Sequence, residues 1–197
     1  IAFVGCDGSG KSTIIKYIKR KLEKEGKSVE VFFLGWRSFQ NPILRIFSKF
    51  YMKRKEKKAV KEKKLERFRS RSWLFYILYY SELWLRYLKI ILSRKEYLLI
   101  DRYFYDELAF AKGMKLKFFK IIAPIPNICF LLKVSPEILK KRGENISSDM
   151  LENFYKHMYK LSESFPMIKL DSSKSLSNLY REIMQNVKNH QSQTGGI

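Results

Sequence analysis

The apolar residues of this chain fall into short runs separated by longer stretches with helical spacing. Between the runs, apolar residues recur three and four positions apart, as in 12–25, where Ile14, Ile18 and Leu22 share one face. Strands that alternate with helices form parallel sheets covered on both faces. The pattern therefore predicts an α/β fold with a five-stranded parallel sheet. The predicted strands are 1–4, 29–34, 97–100, 128–132 and 167–170.

The remaining helical stretches and the polar end of the chain indicate a single domain. Helices are expected over 43–58, from a start at Pro136, and over 176–187. A chain of this length can bury the core of one domain, which we expect to span 1–190. The polar residues 191–197 are expected to form a disordered tail.

The most apolar helical stretch, 73–92, has about the length that a membrane span requires. Glu82, Arg86 and Lys89 interrupt it, and such charges are costly inside a bilayer. We therefore expect a long helix that faces the protein core, and no transmembrane segment.

The strongest chemical signal follows the first predicted strand. Residues 5–12 match the phosphate-loop pattern G-x-x-x-x-G-K-[ST] at each fixed position, with a helix expected next. Glycines let successive backbone N–H groups converge on phosphate oxygens, and the positive end of the helix dipole adds to the attraction. Lys11 is expected to reach the β- and γ-phosphates of ATP, and Ser12 to ligate Mg²⁺. The predicted nucleotide-binding residues are Gly5, Asp7, Gly8, Ser9, Gly10, Lys11, Ser12 and Thr13.

A second signal lies at the end of the third predicted strand, where Asp101 is followed by Arg102. An Asp that ends a strand of a parallel sheet lies at the carboxyl edge, beside the phosphate loop. From there its carboxylate can hold Mg²⁺ directly or through water. The planar guanidinium of Arg102 suits bidentate binding of a phosphate. The same residues also fit a helix cap and a surface arginine, a reading that the preceding phosphate loop disfavours.

The charge balance is strongly basic, with 40 Lys and Arg against 19 Asp and Glu and a formal net charge of +21. The excess is most concentrated in 53–71, where eleven residues are basic and three are acidic. This basic segment has two interpretations: a docking surface for nucleic acid or an anionic membrane, or a solvated helix whose glutamates pair with its lysines. We favour the solvated helix.

The chain has only two cysteines, Cys6 and Cys129, which lie far apart. This number and spacing exclude a disulfide framework and a cysteine-based zinc site. No signal peptide is visible at the start of the sequence. We expect a reducing, cytoplasmic environment.

Four segments resemble the thymidylate kinases, a family of P-loop nucleoside monophosphate kinases, over most of the chain from Phe3 to about Val187. They are the phosphate loop at 3–13, the helix end, strand and Asp-Arg-Tyr motif at 92–103, the strand that leads to a lid at 126–142, and the turn at 171–173. The resemblance is weak between Trp36 and Arg71. It implies a P-loop three-layer sandwich with a short lid, at about 140–150, and transfer of a phosphoryl group from Mg·ATP to a nucleoside monophosphate, with dTMP the first choice.

The resemblance also implies roles for individual residues. Arg102 would bind the acceptor phosphate, Asp101 would organise the metal, and Arg142 would act from the lid together with Lys11. The aromatic ring of Tyr76 would stack on the acceptor base. Relatives often dimerise, so a homodimer through 73–92 is a further expectation. The predicted acceptor-binding residues are Asp7, Arg37, Tyr76, Tyr80, Arg102 and Tyr103.

The chain departs from the family pattern at several positions. Tyr80 stands where the family has an arginine that touches the thymine, and Asp106 stands where it has a serine. Arg37, after the second strand, would replace an absent Arg-Glu-Pro-Gly motif. These departures leave two alternatives open: a kinase or ATPase that acts on polynucleotides through the basic segment, and a nucleotide-binding protein whose lid has lost its catalytic residues.

Overall fold

The computed structural model describes residues 1–35, 73–108, 121–144 and 146–194. The predicted helix at 43–58 and the basic segment lie outside these residues. Contacts divide the chain into two compact units, which are described separately: Ile1–Leu34 with Ser93–Ile197, and Gly35–Leu92. A single domain over 1–190 stays a prediction.

The first unit is built on a sheet whose five described strands follow the order β2-β3-β1-β4-β5. Every pair of neighbours is parallel. The α/β fold with a five-stranded parallel sheet is therefore confirmed, and each predicted strand lies within one residue of its observed bounds. The strands are β1 (Ala2–Val4), β2 (Val29–Phe33), β3 (Tyr97–Asp101), β4 (Cys129–Lys133) and β5 (Ile168–Asp171).

The helices of the first unit cover this sheet with amphipathic faces. On α1 (Lys11–Lys24), Ile14, Ile18 and Leu22 are buried in one cluster with Phe3 of β1 and Phe130 of β4. The two phenyl rings stack with centroids 5.6 Å apart. Because burial of each large apolar side chain stabilises the fold by about 2 kcal/mol, this cluster holds β1 in the centre of the sheet. The described helices of this unit are α1 (Lys11–Lys24), α3 (Phe104–Leu108), α4 (Pro136–Lys141), α5 (Ser148–Ser162) and α6 (Leu176–Thr194).

Two features of the helices were not predicted. Helix α5 carries buried apolar residues at spacings of three and four, with Leu151, Met158 and Leu161 among them. Helix α6 continues to Thr194, so the prediction of a disordered tail is wrong for 191–194, and 195–197 lie outside the described residues. Each residue added to an existing helix gains a backbone hydrogen bond without needing an apolar contact. A helix can therefore extend beyond the last residue of its hydrophobic pattern.

The second unit contains helix α2 (Trp73–Leu92), the apolar stretch that Glu82, Arg86 and Lys89 interrupt. Arg86 donates to Glu82 Oε1 from both Nε (3.0 Å) and Nη2 (2.8 Å), and from Nη1 to Gly35 O (3.0 Å). Both side chains are buried, as a charged pair can be when it is fully hydrogen-bonded. Tyr80, Leu83 and Ile90 are also buried. None of the described helices is long and apolar enough to cross a membrane.

Candidate active site

The phosphate loop, residues 5–13, connects β1 to α1 at the carboxyl edge of the sheet. Gly8 and Gly10 have φ angles of 74° and 90°, in a region that residues other than glycine rarely adopt. Ser9 N donates to Cys6 O (3.3 Å), which closes the turn, and Ile14 N donates to Gly10 O (3.0 Å), which begins the helix. The strand, glycine turn and helix expected from the sequence thus follow one another in space.

Gly8 has a second constraint besides its backbone angle. A Cβ added there would lie 2.5 Å from Glu144 Cγ and 2.8 Å from Leu139 Cδ2. Leu139 is fully buried on α4, and Glu144 follows that helix. Glycine at this position therefore lets the phosphate loop and the segment after α4 approach each other closely.

We predict that Gly8→Ala lowers kinase activity by up to about 10²-fold, since a displaced loop misaligns the reacting groups. Gly26→Ala is a matched control, because Gly26 has a similar φ of 77° but nothing within 4 Å of the added Cβ. The control is expected to lose only about 1 kcal/mol of stability from backbone strain. Steady-state kinetics and thermal unfolding of both variants measure this, and equal losses of activity would contradict the steric explanation.

Lys11 is folded back onto the phosphate loop. Its Nζ donates to Gly5 O (2.9 Å), Cys6 O (2.7 Å) and Ser9 Oγ (3.2 Å). The residue is buried, and this burial lowers the pKa of the ammonium group, while the negative charge of Asp106 opposes the shift. The Lys11 amine thus lies within the phosphate loop, where the sequence predicts that phosphates bind.

Ser12 and Asp101 meet across the edge between α1 and β3. Phe3 of β1 is in register with Asp101, and Ser12 Oγ donates to Asp101 Oδ2 at 2.6 Å. A hydroxyl and a carboxylate oxygen are hard ligands of the kind that Mg²⁺ prefers, with substrate phosphates and waters completing its shell. These two residues therefore fit a magnesium ion, as the sequence predicts.

Arg102 and Asp7 form an ion pair across the same edge, through Arg102 Nη2 and Asp7 Oδ1. Arg102 has a φ of 67°, which places a non-glycine residue in the left-handed region. Such a conformation costs about 1 kcal/mol or more and persists where surrounding contacts fix it. One of these contacts is the hydrogen bond from Arg102 N to Phe3 O (3.0 Å). The strained backbone turns the chain sharply after β3, next to the phosphate loop.

Arg142 joins the phosphate loop from the end of α4. Its Nη1 donates to Gly8 O at 2.6 Å, and the same atom lies 3.4 Å from the position of a Cβ on Gly10. Its guanidinium therefore lies against two glycines of the loop. Beyond it, the segment that leads to α5 passes Glu144, and Ser147 begins α5 by accepting from Met150 N (3.3 Å).

The described contacts bring two of the predicted acceptor residues together, Arg102 and Asp7. Arg37 and the side chain of Tyr76 lie outside the described residues. Tyr80 is buried on α2, in the second unit. In the first unit, the buried ring of Tyr103 packs edge-on against Phe104 and Tyr105. The roles of these residues in binding the acceptor stay predictions.

Sequence reasoning missed Tyr155, which binds the end of β4 and the phosphate loop. Its hydroxyl accepts from Val134 N (2.9 Å), donates to Leu132 O (3.2 Å) and lies 3.6 Å from Cys6 Sγ. Burial raises the pKa of the Cys6 thiol. The helical spacing of α5 could have placed Tyr155 on a buried face, but not opposite this loop.

Sequence reasoning also assigned no role to Asp106, on α3. Its buried carboxylate accepts a hydrogen bond from Gly5 N at 3.3 Å through Oδ1, at the start of the phosphate loop. The one sequence feature that could have indicated this contact is the position of Asp106, five residues after the strand-ending Asp101. A short helix at that point returns the chain toward the phosphate loop.

Known proteins share the sequence family and the fold of this chain. The family model for thymidylate kinase matches residues 3–183. A thymidylate kinase from Thermosipho africanus is 26% identical in an alignment of 210 residues that covers 96% of this chain and 98% of the relative. The solved structure of thymidylate kinase from Candida albicans has the same fold, with a TM-score of 0.63 at 15% identity over 96% of this chain and 92% of that one. The chain thus belongs to the thymidylate kinase family, and it is an ATP-dependent nucleoside monophosphate kinase.

Proposed function

We propose that this enzyme transfers the γ-phosphoryl group of ATP to dTMP. The observation that carries the proposal is the convergence of three cations and one hydroxyl–carboxylate pair on a single phosphate loop. Lys11 and Arg142 contact the loop carbonyls, Arg102 pairs with Asp7 of the loop, and Ser12 meets Asp101 beside it. Phosphoryl transfer needs this combination, since it depends on positioning and charge stabilisation more than on covalent chemistry.

In this proposal the phosphate loop binds the ATP phosphates through its backbone N–H groups. Lys11 swings from the carbonyls of Gly5 and Cys6 to the β- and γ-phosphates. Arg142 turns from Gly8 O toward the transferring group, because a phosphate oxygen is a stronger acceptor for a guanidinium than a carbonyl is. Both cations start within hydrogen-bonding distance of the loop, so each has a short path to the phosphates.

Ser12 and Asp101 are the residues that would hold Mg²⁺. When bound, the ion neutralises charge on the phosphate oxygens and orients them. The hydrogen bond between Ser12 Oγ and Asp101 Oδ2 keeps both oxygens at one point of the sheet edge before the ion arrives. Asp101 thus acts in two ways: it accepts the hydrogen bond from the Ser12 hydroxyl, and it supplies a negative charge for the ion.

The acceptor would bind on the other side of the loop. Arg102 is the proposed ligand of its phosphate, with Arg37 as a second cation, and Asp7 is released from Arg102 when the acceptor arrives. The family resemblance gives Tyr76 the role of stacking on the base, and Tyr80 and Tyr103 are the other proposed acceptor ligands. Support comes from the ion pair of Arg102 and from the resemblance of the Asp-Arg-Tyr motif, since a guanidinium already turned to a carboxylate is oriented for a phosphate.

The first test is release of ADP from Mg·ATP with each ribo- and deoxyribonucleoside monophosphate in turn. We expect dTMP to give the highest kcat/KM. The panel must be complete because the Candida albicans relative is described as having broad substrate specificity. Equal stimulation by all monophosphates would overturn the dTMP assignment and leave a general nucleotide kinase, whereas stimulation by none would overturn both.

The net charge of +21 favours one second candidate, a kinase that acts on polynucleotide ends. Binding that depends on backbone phosphates weakens steeply with salt. Stimulation of ADP release by single-stranded DNA, lost at high salt and absent with monophosphates, would support this candidate against dTMP.

A further inference from the structure

A second buried charge, Asp106, contacts the same glycine of the phosphate loop as Lys11 does. Asp106 Oδ1 accepts from Gly5 N at 3.3 Å, and Lys11 Nζ donates to Gly5 O at 2.9 Å. The two side chains are 5% and 6% exposed. One glycine therefore connects a buried carboxylate and a buried ammonium through its own N–H and C=O groups.

Both residues are buried, so little water screens the attraction between the Asp106 carboxylate and the Lys11 ammonium group. The negative charge of Asp106 opposes the lowering of the Lys11 pKa that burial causes. Asp101 accepts from Ser12, and Arg102 pairs with Asp7.

We propose that Asp106 is a positioning residue that serves as an internal counter-ion for Lys11 in the ATP-free enzyme and is replaced in that role by the ATP phosphates. The Asp106 carboxylate holds Gly5 and Lys11 in place as long as no ATP phosphate is bound to the loop. When ATP binds, its phosphates neutralise Lys11, so Asp106 stabilises the free enzyme more than the complex. By linkage, a group that favours the free state lowers the affinity for ATP. The inference rests on the proposed function only in that ATP is the ligand of this loop.

The variant Asp106→Asn isolates the charge, because its amide oxygen can still accept from Gly5 N. We expect two opposite effects. The ATP-free protein unfolds at a lower temperature, whereas Mg·ATP binds about tenfold more tightly, a coupling of ordinary size between two linked events. Damage to the fold by itself would weaken ATP binding, so tighter binding by a less stable protein is a result that a purely structural role does not give.

The experiment is a double-mutant cycle measured by isothermal titration calorimetry with Mg·ATP. The four proteins are wild type, Asp106→Asn, Lys11→Ala and the double variant. We expect the tenfold gain in the wild-type background and no gain when Lys11 is absent. Glu152→Gln, which removes an exposed negative charge from α5, is the matched control and leaves the ATP affinity unchanged.

Each other outcome overturns the inference in a recognisable way. A gain that persists without Lys11 means that Asp106 repels ATP directly, and unchanged or weaker binding means that it is no counter-ion. If Asp106→Asn does not fold, Asp106→Ser is a second variant that removes the same charge. Absence of ATP binding by the wild-type protein would instead contradict the proposed function itself.

Discussion

Replacing Lys11 with alanine is expected to lower kcat for phosphoryl transfer about 10²- to 10³-fold, the usual loss when one preorganised donor to a developing charge is removed. Lys11 makes three hydrogen bonds to the loop that it can exchange for bonds to the β- and γ-phosphates. The measurement is steady-state kinetics with saturating dTMP, together with the ATP affinity from calorimetry.

Lys16→Ala is the matched control for Lys11→Ala, since Lys16 lies on the exposed side of the same helix. It removes the same charge without touching the loop, and its activity is expected to stay close to that of the wild type. Thermal unfolding separates a loss of chemistry from a loss of fold. A fully folded Lys11→Ala protein with normal kcat would refute the assignment of the phosphate loop.

Replacing Arg142 with alanine is expected to have the largest effect, a fall in kcat of about 10³-fold or more with a smaller change in ATP affinity. A guanidinium that stabilises charge only while the phosphoryl group moves contributes to kcat more than to ground-state binding. Its contact with Gly8 O places it close enough for this role. The measurement is kcat and KM for ATP with the acceptor held at saturation.

Lys140→Ala is the control for Arg142→Ala, because Lys140 is an exposed cation on the same short helix. Arg142→Lys tests the geometry, since a lysine keeps the charge but cannot bind in a planar fork. We expect the lysine variant to recover only part of the loss. Equal, small effects of Arg142→Ala and Lys140→Ala would favour the alternative of a lid without catalytic residues.

The sheet and the phosphate loop could be predicted from the sequence because their determinants are local. The glycines at 8 and 10 and the lysine at 11 occupy fixed places in a motif whose strand and helix adjoin it. Asp101 could be added because the carboxyl ends of parallel strands share one edge, and its partner across that edge, Ser12, belongs to the motif. Apolar spacing was sufficient for these elements.

Asp106 and Tyr155 could not be predicted because their partners are distant in sequence. Asp106 contacts Gly5 from 101 positions away, and Tyr155 contacts Cys6 from 149. Periodicity identifies a buried face but not the group that it faces. Helix α5 itself was missed although Leu151, Met158 and Leu161 have helical spacing, because its first residues coincide with the predicted lid.

The acceptor site depends on residues whose roles follow neither from the sequence nor from the described contacts. Tyr80 differs in type from the residue that the family resemblance implies, and Arg37 lies outside the described residues. Substrate choice follows from the shape and hydrogen bonds of the pocket, not from the phosphate loop. The acceptor therefore has to be found by experiment.

The most direct measurement is to incubate the protein with Mg·ATP labelled in its γ-phosphoryl group and dTMP, and to identify the labelled product. We predict that the label appears in dTDP, with a matching amount of ADP, and that Lys11→Ala slows its appearance about 10²- to 10³-fold. Label found only in inorganic phosphate, or in dTDP at equal rates with Lys11→Ala, would contradict this prediction.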